Sequence, residues 1–359
     1  MKTKSFIILF LFLIILFSCC FSNIVFADTI VCESLLDNIV LSDEVIAICD
    51  SNIELISNSF DIQRYPCDYT VLGDCLEKPT AILVTLNDEN QTPSGYMIFD
   101  YNSLSIKEFD FSYGETIITV LSDIAKDGNG KVIYQNQLAI EFEQKTMMLS
   151  NNYVNNGQLR YTSQTNPITS PMDYKSYTLP VTTSSSHIKS RFTGFQFVTT
   201  SDFSGYDNHC APTAGTNIAI LLKCTKDNTA PYLSTFEELY RLMHTNFLKY
   251  GTLFTDVRIG LTNYLRKYGK RKYNLDLMTS ITKEKIKGAV ETRNPFHVSL
   301  SNNGYYGDHA VVGIGWYQIV DSAGVNDLFI RVLDGWSTST YRYVYLDDSV
   351  ARIIKIKNA

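Results

Sequence analysis

The stretch SGYDNHCAPTAGTNIAILL, residues 204–222, decides how the 359-residue chain divides, because apolar residues first take a helical spacing there. Ala214 and Ile218 keep that spacing behind Pro212, and proline is favoured in the first turn of a helix. Cys210 therefore lies at the predicted start of an apolar helix. The unpaired N–H groups of a helix start are expected to lower the pKa of its thiol and to make it a usable nucleophile.

Helical periodicity continues after this stretch and gives way to strand periodicity beyond Pro295. Three more helices are predicted, from a capping box at Ser234 and Glu237, over residues 255–269 and over residues 281–292. The runs FHVSLS, HAVVGIGWYQI, LFIRVLDGW, RYVYL and ARIIKIK then have the pattern of strands. Helices first and an antiparallel sheet second predict an α+β domain over residues 190–359, which we call the back half.

The sequence before these helices differs in pattern and charge. From Thr80 the runs AILVTLND, SGYMIFDY, SIKEFDF and KVIYQNQLAIEF predict a meander of antiparallel strands. Residues 28–150, the front half, are predicted as a mainly antiparallel β domain, and residues 151–189 as a linker. Nine basic against 22 acidic residues give residues 28–189 a charge of −13, while 20 against 15 give the back half +5. The two parts are expected to attract each other.

The first residues of the chain indicate export. Two lysines precede an uncharged apolar run at residues 6–17, and VFA ends at Ala27 with small residues, so residues 1–27 are predicted as a signal peptide. A lipoprotein signal ending at Cys19 is the alternative. The apolar run is too short for a membrane span, and no other stretch is suited to one. The mature protein is expected to be secreted and extracellular.

Cysteine usage follows the same division. Four cysteines of an exported segment predict two disulfides, whose pairing the sequence leaves open. These four are Cys32, Cys49, Cys67 and Cys75. Cys210 and Cys224 would lie about 20 Å apart along one helix, too far for a bond, so both are predicted to be free thiols. A buried structural role is the simpler interpretation of Cys224.

His309 is the candidate general base for Cys210. It heads the run HAVVGIGWY, in which Gly313 and Gly315 leave space on its face of the strand. His209 adjoins the cysteine and is assigned a minor role in lining the cleft. The remaining histidines are interpreted as structural or exposed: His187, His244 and His297. Asp334, in RVLDGWS, is the candidate orienting acceptor, although an Asp-Gly turn residue is the alternative.

This order of Cys210, His309 and Asp334 resembles the papain-like cysteine peptidases. CAPTAG is similar to the CGPT box of the bacteriocin-leader peptidases and their secreted bacterial relatives, whose third triad member is also Asp. SGYMIFDY weakly resembles a strand in the pro-domains of streptopain-like enzymes. The resemblance implies a papain-like catalytic domain with Cys210 as nucleophile, His309 as general base and acid, and Asp334 as the orienting carboxylate. Where the family often has an oxyanion-hole Gln, Asn208 is the candidate donor beside the Cys210 backbone N–H.

The implied function is that of a secreted cysteine peptidase made as a zymogen, with a polypeptide substrate and the front half as intramolecular propeptide. A peptidoglycan amidase, a transglutaminase-like acyl transferase and a non-catalytic secreted binding protein are the alternatives. Neither a metal nor a nucleotide or flavin motif occurs, so no cofactor is expected. A basic cluster offers a contact to cell-wall polymer or nucleic acid, but a solvated helix end is the preferred interpretation, and no nucleic-acid partner is expected. This cluster is Arg266, Lys267, Lys270, Arg271 and Lys272.

Overall fold

The computed structural model describes most of the chain from residue 39 onward. The described ranges are 39–73, 79–112, 131–134, 138–142, 145–148, 177–246, 251–303 and 307–359. The predicted signal peptide, Cys32, Cys75 and most of the predicted linker lie outside them. Within the described residues, no helix combines the length and the apolar character that a membrane span requires.

The described part of the chain is an α+β fold, as the order of patterns predicts. Its α-helices are α1 (Asp43–Ser59), α2 (Cys210–Leu222), α3 (Leu233–Leu242), α4 (Phe254–Tyr268) and α5 (Lys283–Val290). The strands of the front half are β1 (Tyr65–Gly73), β2 (Pro79–Asn87), β3 (Pro93–Asp100), β4 (Ile106–Asp110), β5 (Lys131–Tyr134), β6 (Leu138–Phe142) and β7 (Lys145–Met148). The later strands are β8 (Val181–His187), β9 (Tyr273–Met278), β10 (Phe296–Asn303), β11 (Gly307–Asp321), β12 (Asn326–Leu333), β13 (Arg342–Tyr345) and β14 (Val350–Asn358).

One 11-stranded antiparallel sheet contains strands from both halves of the chain. Its order is β1-β2-β3-β4-β13-β12-β11-β10-β14-β9, and β8 pairs with β11 beside this path. The halves join where β4 pairs with β13, with Asp110 opposite Arg342 and Phe109 opposite Tyr343. Gly95 of β3 permits a close approach at this place, because a Cβ there would lie 2.0 Å from the Asp110 carbonyl oxygen. Strands β5 to β7 form a separate three-stranded sheet.

Helix α2 is central to the back half. It packs on β11 and β10 and against α3 and α4. Eleven of its residues, from Ala211 to Leu221, are buried, and most of them are apolar, as is expected of a helix packed on several sides. Lys223 ends it in the left-handed conformation at φ 55°. Because α2 packs on β11 and β10, its start is held in a defined position over the sheet.

A second core crosses the boundary between the halves. It combines α1 and strands β1 to β4 with Tyr317, Phe329 and Tyr343 of the back half. Phe109 stacks on Tyr343 at a centroid distance of 4.8 Å and an interplanar angle of 10°. Contact between the halves therefore includes strand pairing and aromatic packing, in addition to the attraction between net charges that the composition predicts.

The structure corrects one prediction about the helices and adds a helix that was not predicted. The capping box at Ser234 is wrong: α3 begins at Leu233, and the Asp227 carboxylate accepts the N–H groups of Ser234 and Thr235, each at 2.7 Å. Helix α1 was not predicted. Ser42 caps it by accepting a hydrogen bond from the Val45 N–H at 3.3 Å. Acidic residues in the first turn stabilise the helix, because they lie at the positive end of its dipole.

The predicted pair of disulfides is wrong, because Cys49 and Cys67 are free thiols. Cys49 lies on the buried face of α1, and Cys67 is exposed on β1. Burial raises the pKa of the Cys49 thiol to about 12, so this residue has the character of a small apolar side chain. Cys210 and Cys224 are free thiols, as predicted.

The shared core leads to a stability prediction for Phe109→Ala. Phe109 is fully buried between the halves, so truncation removes aromatic contacts and leaves a cavity. We expect the free energy of unfolding to fall by about 3–5 kcal/mol, measured by urea denaturation of the full chain. Tyr65→Ala is the control, since Tyr65 is 43% exposed on β1, and it should change the stability by less than about 1 kcal/mol. Equal effects of the two changes would contradict a core shared between the halves.

Candidate active site

Cys210 is the first residue of α2 and faces β11. The residue is half-buried, and hydrogen bonding by the backbone N–H groups of Ala310, Ala211 and Cys210 favours the ionised form of its thiol, which by itself would lower the pKa. Ala310 directly follows His309 on β11. The sulfur is therefore held against the strand that carries the predicted base.

The pKa of the Cys210 thiol is raised, whereas the start of the helix was expected to lower it. Burial away from water raises the pKa of this thiol, and the three N–H groups oppose the rise without cancelling it. Asp308 contributes to the rise through its negative charge. At neutral pH the sulfur is consequently a protonated thiol, and it needs a base to take its proton before it can act as a nucleophile.

The imidazole of His309 is buried and held on two sides. Its Nε2 donates a hydrogen bond to the main-chain carbonyl of Asp334 at 2.7 Å, and its ring lies 4.7 Å from the Trp336 ring. Since a carbonyl oxygen can only accept, this contact places the proton of the neutral ring on Nε2 and leaves Nδ1 to act as the basic nitrogen. Burial lowers the pKa of His309 to about 4, so the ring is neutral at neutral pH.

Asp334 contacts His309 through its main chain, whereas the resemblance implies a contact through its carboxylate. Its Oδ1 accepts the N–H groups of Trp336 and Ser337 at 3.1 and 3.0 Å, and its Oδ2 forms a buried ion pair with Arg342. The carboxylate thus shapes the turn, and the turn presents both the carbonyl and the Trp336 ring to His309. Gly335 permits this turn with φ at 76°.

The two residues before the cysteine, Asn208 and His209, are both held by hydrogen bonds. The Asn208 amide donates to Asn246 Oδ1 at 2.9 Å, in the segment after α3. His209 is buried, and its Nε2 donates to the carbonyl of Thr200 at 2.9 Å. His209 thus ties the entry to α2 to the preceding 3₁₀ turn, Thr200–Phe203.

The two glycines of β11 have a different role from the one expected. A Cβ at Gly313 would lie 2.1 Å from the Phe296 ring, and a Cβ at Gly315 would lie 2.7 Å from His187. Phe296 and strand β8 therefore occupy the space beyond His309 on its face. These glycines allow tight packing of β11 against its neighbours and do not form an open cleft.

The residue that the sequence analysis missed is Arg342. It is 1% exposed and lies between Asp334 of the back half and two carboxylates of the front half. Its Nε donates to Asp110 Oδ2 at 3.1 Å and lies 3.8 Å from Glu108 Oε1. Nothing in the run RYVYL marks this arginine, because its partners come from places that are distant in the sequence.

The remaining ionisable groups do not suggest a metal centre. Among the residues that the structure describes, no group of three or more His, Cys, Asp and Glu side chains could hold a metal ion. His244 lies at the surface, 3.7 Å from Asp256. Burial lowers the pKa of His187 to about 4 and that of His297 to about 3, so both are neutral structural residues at neutral pH.

Comparison with known proteins adds little to this geometry. No protein-family model matches the chain, and no curated protein matches it. A mutant fragment of prointerpain A from Prevotella intermedia is similar at 14% identity, over 83% of this chain and 98% of that chain, with a TM-score of 0.30. A TM-score this low carries no argument about fold or activity.

The geometry at Cys210 predicts a pH-dependent reactivity. Because burial raises the pKa of its thiol, alkylation by iodoacetamide should be slow at neutral pH and should accelerate as the pH rises above the ordinary thiol range. Peptide mapping by mass spectrometry compares it with Cys224 and Cys49, which are buried and should stay protected in the folded chain, and with exposed Cys67. A Cys210 labelling rate that does not change with pH would refute this assignment.

The Trp336 ring predicts the titration of His309. In Trp336→Ala, water reaches the imidazole, so its pKa should rise from about 4 towards the ordinary value of 6.5. The chemical shift of the His309 ring, followed by NMR against pH, measures the change. Trp316→Ala is the matched control, because it removes the only other tryptophan and should leave this titration unaltered. Identical midpoints in the two variants would rule out the shielding role.

Proposed function

We propose that this chain is a secreted cysteine peptidase, made as a zymogen, that hydrolyses peptide bonds with Cys210 as nucleophile and His309 as general base and acid. Asp334 is the orienting residue of the proposed triad. The back half is the proposed papain-like catalytic domain. The front half has the proposed role of an intramolecular propeptide, and residues 1–27 that of the signal peptide.

The observation that carries the proposal is the position of the sulfur. Cys210 starts the helix that packs on β11, and the Ala310 N–H, one residue from His309, acts on the pKa of its thiol, while Nε2 of the His309 imidazole is held by the Asp334 carbonyl. A nucleophile beside a base, and a base oriented by a third group, is the arrangement that covalent catalysis requires. The Trp336 ring covers the His309–Asp334 contact and keeps water from it.

Acylation begins from a neutral thiol and a neutral imidazole. His309 Nδ1 takes the proton of Cys210 as Sγ attacks the carbonyl carbon of the peptide bond, whose oxygen becomes an oxyanion. The Cys210 backbone N–H and the Asn208 amide are the proposed donors to this oxygen, and the second amide hydrogen of Asn208 serves because the first is bonded to Asn246. The imidazolium then protonates the leaving amine as the carbon–nitrogen bond breaks, which leaves a thioester on Cys210.

Hydrolysis of the thioester uses the same groups in reverse. His309 Nδ1 takes a proton from water as the water oxygen attacks the thioester carbon. The tetrahedral intermediate collapses, the carbon–sulfur bond breaks, and the proton returns from His309 to the sulfur. The carboxylic acid product leaves, and the neutral thiol–imidazole pair is restored.

The experiment compares the wild-type chain with Cys210→Ala, and uses Cys224→Ala as the matched control at a buried thiol outside the site. Each is assayed on casein, on purified cell wall and with a peptide amide plus an amine acceptor. We expect casein hydrolysis in the wild type and in Cys224→Ala, and a loss of at least about 10³-fold in Cys210→Ala. Cleavage between the halves, located by sequencing the fragment ends, should disappear in the same variant.

The substrates distinguish the rival functions. Turnover of cell wall but not of casein would assign an amidase, and incorporation of the amine would assign an acyl transferase. If no substrate is turned over and an epoxide thiol trap does not modify Cys210 selectively, the chain is a non-catalytic binding protein and the proposal fails.

A further inference from the structure

The front half is built into the same sheet and core as the candidate active site. Strand β4 pairs with β13, and Phe109 and Phe60 pack against Tyr343 of the back half. At the end of β4, the Ser112 hydroxyl bonds to the hydroxyl of Ser339, which lies in the segment that follows Asp334. The front half thus contacts the loop that holds His309.

A buried charge cluster lies at the centre of this junction. Arg342 forms ion pairs with Asp334 in its own half and with Asp110 in the front half, and all three side chains are at most 2% exposed. Asp110 also accepts the Ser112 N–H at 2.8 Å and the Ser339 hydroxyl at 3.2 Å. One front-half carboxylate therefore holds both Arg342 and the loop after Asp334.

Glu108 completes the cluster without adding a full charge. Its carboxyl accepts a hydrogen bond from the Tyr96 hydroxyl and faces the Arg342 guanidinium. Burial raises the pKa of Glu108 to about 8, so it is mostly protonated at neutral pH. The guanidinium is then shared between the carboxylates of Asp110 and Asp334, one from each half of the chain.

Removal of the front half would leave this arrangement broken. Arg342 would lose Asp110 while it remained beside Asp334, and breaking a buried charge cluster by removing one partner is strongly unfavourable. The backbone groups of β13 would lose their partners on β4, and Tyr317, Phe329 and Tyr343 would face water. These costs do not depend on surface charge, so salt screens them little.

We propose that the front half is a lasting part of the working protein: it stays bound after the chain is cut between the halves, and Asp110 and Arg342 are positioning residues for the loop that orients His309. The first part rests on the junction alone, and the second rests on the proposed function. Activation then consists of a cut between the halves that does not release the front half.

The first test uses the full chain with a recognition site for an unrelated protease inserted within residues 151–176, in a Cys210→Ala background. After the cut, size-exclusion chromatography should show the two fragments eluting together, both at low salt and at about 1 M salt, where surface attraction is screened beyond about 3 Å. Fragments that separate at either salt concentration without denaturant would overturn the proposal.

The second test addresses positioning. Asp110→Asn keeps the size of the side chain and removes the carboxylate that pairs with Arg342. Asp100→Asn is the matched control, since Asp100 is half-buried and its carboxylate lies 3.9 Å from the Lys107 ammonium group. We expect Asp110→Asn to lower kcat at least tenfold with KM nearly unchanged, and to shift the NMR titration of His309. Arg342→Met should have the same effects and Arg342→Lys should retain part of kcat. Ser339→Ala, which weakens the same loop contact more mildly, serves if Asp110→Asn does not fold.

The outcomes separate this inference from the proposed function. If no substrate is turned over and the epoxide trap does not modify Cys210 selectively, yet the cut fragments stay together and Asp110→Asn shifts the His309 titration, the junction stands and the peptidase proposal fails. If the back half alone is active after release of the front half, the peptidase proposal stands and this inference fails. An unchanged His309 titration in both Asp110→Asn and Arg342→Met would reject their positioning role.

Discussion

The pairing of β4 with β13 is the contact on which the rest of this structure depends. It makes one sheet out of two regions that differ in charge and composition, and it brings Asp110 directly opposite Arg342. The loop from Asp334 to Ser339 is bounded by this pair, so its conformation depends on both regions of the chain. Without the strand pairing, the ion pairs around Arg342 would have no fixed geometry.

Burial, more than the helix dipole, sets the protonation of the candidate site. The start of α2 directs N–H groups at Cys210, which favours a thiolate, but the loss of solvation outweighs them and raises the thiol pKa. The same loss of solvation keeps His309 neutral. A neutral pair has the advantage that no charge needs to be buried in the resting state, and in the proposed reaction charge develops only when the sulfur attacks.

Local patterns predicted the elements well, and long-range contacts poorly. The runs after Pro295 form the strands β10 to β14, and α4 ends before Gly269 as its spacing predicts. These elements could be predicted because the spacing of apolar residues in the sequence shows which residues a strand or a helix buries. Helix α1 was missed although Val45, Cys49, Ile53 and Ile56 share one of its faces; its cysteine was interpreted as part of a disulfide framework instead.

The candidate site shows the same limit. Short motifs identified Cys210, His309 and Asp334 as candidates. They could not show which atom of Asp334 contacts the imidazole, because Arg342 binds the Asp334 carboxylate and leaves the main-chain carbonyl to His309. Arg342 in turn has no local signal, because its partners Glu108 and Asp110 lie more than 200 residues earlier. The fraction of the site that escaped sequence analysis is the part built by side chains that meet only in the folded chain.

Strand β8 has a consequence for the ends that proteolysis would create. It pairs with β11 from Val181 to His187, and just before it the Tyr177 hydroxyl donates to the Asp327 carboxylate at 2.8 Å. A new amino terminus made upstream of Tyr177 would therefore precede an anchored strand. Aminopeptidases need an extended, unpaired chain, so trimming from that terminus should stall at the edge of the sheet and yield a fragment with a reproducible first residue.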